Sequence, residues 1–187
     1  MTRPVLQVII ASTRPGRVGP AIAQWFYEIA LRDDSFDVEL VDLASFNLPI
    51  FDEPGHPAFG EYTHEHTQRW AASVKRADGF VFVMPEYNHG YNAALKNAID
   101  YLYNEWRYKS FGLVSYGGVA MGTRAAQAIK PVLTHLKLVH SSDVTISLAV
   151  TPVLNGVFEG NDLLAQSASM MLNELNKITP SLMEFRK

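Results

Sequence analysis

The feature that most constrains this chain is an alternation. Short, nearly unbroken apolar runs take turns with stretches whose apolar residues recur at helical spacing. Residues 5–11 form such a run, which predicts a strand covered on both faces. Residues 20–31 then place Ile22, Trp25, Phe26, Ile29 and Ala30 along one helical stripe. The same reading predicts strands at 38–43, 79–84, 110–116 and 144–150, and helices at 63–76, 93–102, 123–136 and 162–177. Pro131 is expected to bend or break the helix that contains it. Residues 44–62 are rich in Pro, Gly and Asn and read as a long loop, of the kind that more often serves a function than not. No internal repeat, linker or low-complexity stretch interrupts the pattern, so residues 1–187 are expected to form one domain.

Strands alternating with helices predict a parallel sheet with helices on both faces, because right-handed crossovers place them there. In such sheets ligands bind beyond the carboxyl ends of the strands, where the strand order reverses. The loops after the first, third and fourth strands are therefore the places to look.

Composition narrows the classes of function. A chain of 187 residues buries enough surface to need no staples. Sixteen Lys and Arg against nineteen Asp and Glu give a net charge of -3, without the basic field of a nucleic-acid binder. The absence of Cys excludes disulfides, thiolate metal sites and cysteine nucleophiles, and it fits a reducing cytosol, so a cytoplasmic location is expected. The first apolar run is short, is interrupted by Gln7 and is soon followed by Arg14 and Arg17, which argues against a signal peptide. No apolar stretch approaches the roughly 18 residues of a membrane span.

After the first strand come Ser12, Thr13, Arg14, Pro15, Gly16, Arg17, Val18 and Gly19, leading into a helix. Hydroxyls, two arginines, glycines and free N–H groups at a helix start are what a phosphate dianion requires. No Gly-Lys-Ser/Thr is present and no G-x-G-x-x-G, so a phosphate monoester fits better than a triphosphate or pyrophosphate, even though Asp42 ends the second strand where a ribose-binding acid would stand. After the third strand, Pro85, Glu86, Tyr87, Asn88, His89 and Gly90 read as a structured turn carrying amides and aromatic faces, suited to a flat polar-edged heterocycle. After the fourth, Ser115, Tyr116, Gly117 and Gly118 let main-chain N–H groups approach a ring edge.

These residues carry a resemblance. Ser12-x-Arg14, Pro85-Glu86-Tyr87-Asn88 with Leu95-Lys96-Asn97-Ala98-Ile99-Asp100 behind it, and Ser115-Tyr116-Gly117-Gly118 resemble the NADPH-dependent FMN reductase family over roughly residues 4–150. The resemblance implies an α/β, flavodoxin-like three-layer sandwich with a five-stranded parallel sheet in the order 2-1-3-4-5. It also implies bound FMN, NADPH or NADH as co-substrate, and a homodimer or homotetramer. Carried over by position, Ser12, Arg14 and Arg17, with Val18 and Gly19, would hold the phosphate. Pro85, Glu86, Tyr87 and Asn88 would line one side of the ring, and Ser115, Tyr116, Gly117 and Gly118 would meet its pyrimidine end. The chain departs from the family pattern at Ala11, where a Gly is common, at Gly19, where Asn is common, and at residues 90–94, which replace a Ser-x-Pro-Gly-Val stretch.

FMN carries the redox chemistry in such a protein, so no side-chain acid, base or nucleophile is expected. The positive end of the helix near Met121 is expected to favour charge on the reduced ring, with no Asp or Glu between Ser115 and Arg124 to oppose it. That arrangement favours a hydride-transferring enzyme that works by a ping-pong cycle on a small-molecule acceptor: a flavin, quinone, azo compound or metal oxyanion. The alternatives are a flavodoxin-like electron carrier or a non-enzymatic binding domain. Neither a nucleic-acid nor a membrane partner is expected.

Other residues read as structural. His64 and His66 lie at i and i+2 of a predicted helix, with no metal-binding pattern around them, and no metal is expected. His89, in the ring-binding turn, either touches substrate or simply caps the turn, and the second reading is favoured. Trp25, Phe26 and Trp70 read as core. Tyr101, Tyr103, Trp106 and Tyr108 are too dense for one helix face, and with Tyr87 and Tyr91 they are expected to form a subunit interface beside the ring.

Overall fold

Both faces of the sheet are covered, which is why its inner strands are apolar at nearly every position. In the computed structural model, which describes residues 3–186, β1 is Val5–Ile10, β2 Asp37–Asp42, β3 Gly79–Tyr87, β5 Ser110–Gly117 and β6 Val139–Ser147. These five run parallel in the order β2-β1-β3-β5-β6, and a two-residue β4, Gly90–Tyr91, folds back antiparallel on the end of β3. Counting only the parallel strands, the order is the flavodoxin-like 2-1-3-4-5. Met1, Thr2 and Lys187, the ends of the expected domain, lie outside the described residues.

Helices α1 (Gly19–Leu31) and α5 (Asp162–Phe185) cover one face; α2 (Glu65–Arg76), α3 (Ala93–Asp100) and α4 (Thr123–His135) cover the other. The pleat divides each strand between two cores. Leu6, Val8 and Ile10 pack with Ile22 and Phe26 of α1 and Met171 of α5. Ile9, Phe80 and Phe82 pack with Trp70, Ile99 and Ile129 on the opposite side.

Several expectations are corrected. The last strand runs from Val139 to Ser147, not over 144–150. His140, Ser141, Ser142 and Asp143 hid its start, but β6 is an edge strand that pairs only with β5, and a half-covered edge tolerates polar side chains. Helix α4 continues through Pro131 without breaking, and α5 extends eight residues past its expected end, through Pro180. The long loop contains two 3-10 turns, Leu43–Phe46 and Pro57–Phe59.

The aromatic interface is also corrected. Tyr101 and Trp106 are fully buried in this chain's own core, with Trp106 stacked edge-on against Trp70 and Phe80 and its indole N–H donating to the Ile99 carbonyl. α3 stops at Asp100, and the chain then turns inward, so these rings fill the space under α2 that a longer helix would have left open. Tyr103 and Tyr108 are only partly buried.

Candidate functional site

The register places Ile10, Asp42 and Val83 side by side, and Pro85, Tyr116 and Ile146 side by side, so every strand delivers its following loop to one edge. Three of these loops, residues 11–18, 86–92 and 117–122, therefore lie side by side at that edge, and the space between them is the candidate crevice.

In the first loop Ser12 is 1% exposed, and its Oγ is buried beside the Tyr116 hydroxyl with no hydrogen bond of good geometry to any group. A buried hydroxyl left unpaired is costly unless something completes it. Gly19, the first residue of α1, has no room for a side chain: a Cβ there would lie 2.3 Å from Ser12 Oγ and 2.8 Å from the Tyr116 hydroxyl. Val18 precedes the helix without a side-chain cap, which leaves first-turn N–H groups free. A buried hydroxyl short of a good hydrogen bond, uncapped helix donors and a position that excludes Cβ together fit a phosphate group.

The two arginines, alike in the sequence, are placed differently. Arg14 is exposed, and its Nε donates to the Tyr87 hydroxyl at 3.1 Å, which bridges the first loop to the second. Arg17 is held from below: it donates to both carboxylate oxygens of Asp42, at 2.8 and 2.6 Å, and to the Ser12 carbonyl. Burial works to raise the Asp42 pKa, but the Arg17 guanidinium and the Ala44 N–H together hold it below the usual carboxylate value. Asp42 is therefore the buttress of this loop.

In the second loop Asn88 and His89 have φ of 49° and 66°, as the central pair of a type I′ hairpin turn requires, with Tyr87 facing Gly90 across it. Pro85 is buried, whereas Tyr87, Asn88 and His89 are exposed at the mouth of the crevice. Asn92, which the sequence offers only as a residue of this turn able to take a left-handed conformation, is extended instead, is 3% exposed and donates to the Ala11 carbonyl at 2.7 Å, tying the second loop to the first. Asn97 was visible within the Leu95–Asp100 motif, but its task was not: it donates to the Pro49 carbonyl and accepts the Phe51 N–H, fastening the long loop to α3.

In the third loop Gly118 stands in open space, with no heavy atom within 4 Å of where its Cβ would be. Gly122 has φ 79°, and a Cβ there would lie 2.5 Å from the Tyr116 nitrogen, so only glycine completes this turn. The Tyr116 side chain does not reach toward the glycines of its own loop. It runs under the first loop to the neighbourhood of Ser12 and Gly19, and burial, only partly offset by Ser12, Arg14 and Arg17, pushes its phenol up to about 12.

One electrostatic expectation is overturned. No acid lies between Ser115 and Arg124 in the chain, but the fold brings Glu86 to the start of α4, where its carboxylate accepts the Arg124 backbone N–H at 3.1 Å and the Arg124 guanidinium at 3.0 Å.

Next to the first loop a cleft of about 250 Å³ is lined by Thr13, Leu43, Ala44, Asn47, Leu48, Ala94 and Asn97. A separate apolar cleft of about 480 Å³ lies on the α3–α4 face, between Phe51, Ile99, Leu102, Val132 and Leu136. His64 and His66 stack on one another and meet Asp52, away from the crevice loops. Among the described residues no helix is long and apolar enough to cross a membrane.

The profile of the NADPH-dependent FMN reductase family matches residues 5–152. The chain is 48% identical over 137 residues to an NAD(P)H-dependent FMN reductase of Schizosaccharomyces pombe, covering 72% of this chain and 68% of that protein. It is 36% identical over 154 residues to the NAD(P)H-dependent FMN reductase LOT6 of Saccharomyces cerevisiae, covering 76% of this chain and 80% of that one. Among solved structures, the NAD(P)H:(acceptor) oxidoreductase FerB of Paracoccus denitrificans superposes with a TM-score of 0.74 over 94% of this chain and 98% of its own, at 20% identity, a likeness of fold.

Proposed function

Because the chain belongs to the NADPH-dependent FMN reductase family and acts as an NAD(P)H-dependent oxidoreductase through FMN, we propose that the crevice between its first, third and fifth strand loops holds that FMN. Bound there, FMN supplies the redox chemistry, taking hydride from NAD(P)H and passing electrons to an acceptor. The protein's part is to bind, orient and shield.

Ser12, the N–H groups at Gly19 and Ala21, and Arg14 hold the phosphate, with Val18 completing the loop. Arg17 keeps the loop in shape through Asp42. Pro85, Glu86, Tyr87 and Asn88 wall one side of the ring. The N–H groups of Gly117 and Gly118 meet its pyrimidine edge, while Ser115 backs the start of α4 and the Tyr116 phenol supports the phosphate loop from beneath. No side chain is assigned a proton-transfer role. The observation that carries this reading is the buried Ser12 hydroxyl, which lies beside the Tyr116 phenol without a hydrogen bond of good geometry, next to an uncapped helix start and a glycine with no space for Cβ.

Tyr87, Val119 and Met121, all exposed at the crevice edge, leave the ring face open to a planar apolar acceptor such as a quinone or azo compound. Nicotinamide and acceptor then use the same face in turn, a ping-pong cycle. The apolar α3–α4 cleft, with Ile50 and Phe59 exposed beside it, supports assembly as a homodimer or homotetramer through that face. The lack of cysteine supports a cytoplasmic, reducing location. Steady-state rates with NAD(P)H and a quinone should give parallel double-reciprocal lines; intersecting lines would overturn the shared-face cycle. Purified protein that takes up no FMN would overturn the site.

A further inference from the structure

Glu86, near the end of β3, and Arg124, in the first turn of α4, meet beside Gly117. The Glu86 side chain is 9% exposed and that of Arg124 is 49% exposed, so the anion is the buried partner and the cation faces solvent. Glu86 follows Pro85, which is paired in register with Tyr116, and its Cβ lies 3.4 Å from where a Cβ on Gly117 would be. The carboxylate takes an N–H from the first turn of α4, so it occupies part of the positive helix end that faces this loop.

We propose that Glu86 and Arg124 are a balanced pair of positioning residues whose mutual neutralisation sets the electrical potential at the ring end of the crevice, and with it the ease of reducing the FMN held there. The inference rests on the FMN reading above. Reduction adds negative charge to the ring system. A lone carboxylate beside Gly117 would oppose that charge, and a lone guanidinium would favour it. In the folded protein the pair nearly cancels, leaving the N–H groups of Gly117 and Gly118 and the remaining helix donors to decide the balance. At an effective dielectric near 20, one uncompensated unit charge acting across roughly a helix diameter changes an equilibrium by about tenfold.

The test compares the FMN-loaded wild type with Glu86→Gln, Arg124→Gln and the double variant. FMN affinity is read by flavin fluorescence, and the two-electron midpoint potential by equilibration with a reference dye. Arg124→Gln should make the reduction equilibrium about tenfold less favourable, a shift of about 30 mV to negative potential. Glu86→Gln should move it about as far to positive potential, and the double variant should return close to wild type. Glutamine keeps an acceptor for the Arg124 N–H, so a purely structural role for Glu86 predicts no opposed shifts. If the proteins bind FMN but both single variants leave the potential unchanged, or move it in one direction, the pair has no such role and the FMN site stands. If the wild type itself binds no FMN, the underlying site assignment fails instead.

Discussion

Arg14→Ala and Arg17→Ala should separate two tasks that adjacent arginines share only in appearance. Arg17 makes two charge-assisted hydrogen bonds to Asp42 and one to the Ser12 carbonyl, with side-chain exposures of 18% for Arg17 and 34% for Asp42. Hydrogen bonds to charged groups contribute about 1.5–3 kcal/mol, but solvent screens a pair this accessible, so about 1–2 kcal/mol is the expected loss. For a domain of this size that is a fall of roughly 2–8 °C in the Tm of the FMN-free protein. Arg14 is exposed and makes one side-chain contact with Tyr87, so its removal should alter stability by less than about 0.5 kcal/mol. Its loss should instead weaken FMN binding by roughly tenfold to a hundredfold, the worth of a charge-assisted phosphate contact. Riboflavin, which lacks the phosphate, should bind Arg14→Ala as well as it binds wild type. The folded-state pKa of Asp42 is lowered, so the stability it carries is present above its unfolded value of 3.8 and is lost as pH falls through the lower folded value. The stability gap between wild type and Arg17→Ala should therefore stay constant near neutral pH and close in acid below about pH 4. Thermal unfolding across pH, with fluorescence titrations of both flavins, measures all of this. Equal Tm losses in the two variants, or an Arg14→Ala defect as large for riboflavin as for FMN, would refute the division of labour.

Four further outcomes are expected. Gly122→Ala should cost more than about 3 kcal/mol in denaturant unfolding, because a side chain at φ 79° meets the Tyr116 nitrogen and Ser115 carbon at 2.5 and 2.7 Å. Gly118→Ala should leave stability unchanged within about 0.5 kcal/mol while reducing FMN affinity, since its Cβ enters open crevice space; equal destabilisation by the two would be wrong for this geometry. Trp106→Ala should cost about 3–5 kcal/mol at every protein concentration, as a buried core ring does, whereas an interface ring would show a loss that depends on concentration. Lys109 is 5% exposed, and burial, reinforced by Arg186, lowers its pKa to about 7. Its proton is bound more weakly in the fold than in the unfolded chain, so wild type should gain stability as pH rises from 7 toward 10. Chemical unfolding of Lys109→Met over that range should show the gain removed; an unchanged slope would assign it to other groups.

The fold was legible because it rests on periodicity. Unbroken apolar runs such as residues 5–11 can be buried only between two helical layers, and strands alternating with helices must cross over in one hand. β6 escaped because an edge strand, covered on one side, need not be apolar, so His140 to Asp143 looked like a loop. Tyr101 and Trp106 were misplaced because aromatic density says that surface must be buried without saying against what.

Order along the chain also determined which loops meet at one edge of the sheet, and their glycines, hydroxyls and arginines are the groups on which the proposed FMN site is built, because backbone geometry and donor type are properties of short segments. Only the tertiary structure decided how those groups are paired. It turned Arg17 onto Asp42 and left Arg14 free to reach Tyr87, sent the Tyr116 phenol beneath the first loop, hooked Asn92 to Ala11, and carried Glu86 to the start of α4. Charge and hydrogen bonding act through distances of a few ångströms between residues far apart in the chain, and those distances exist only once the strands have set the loops side by side.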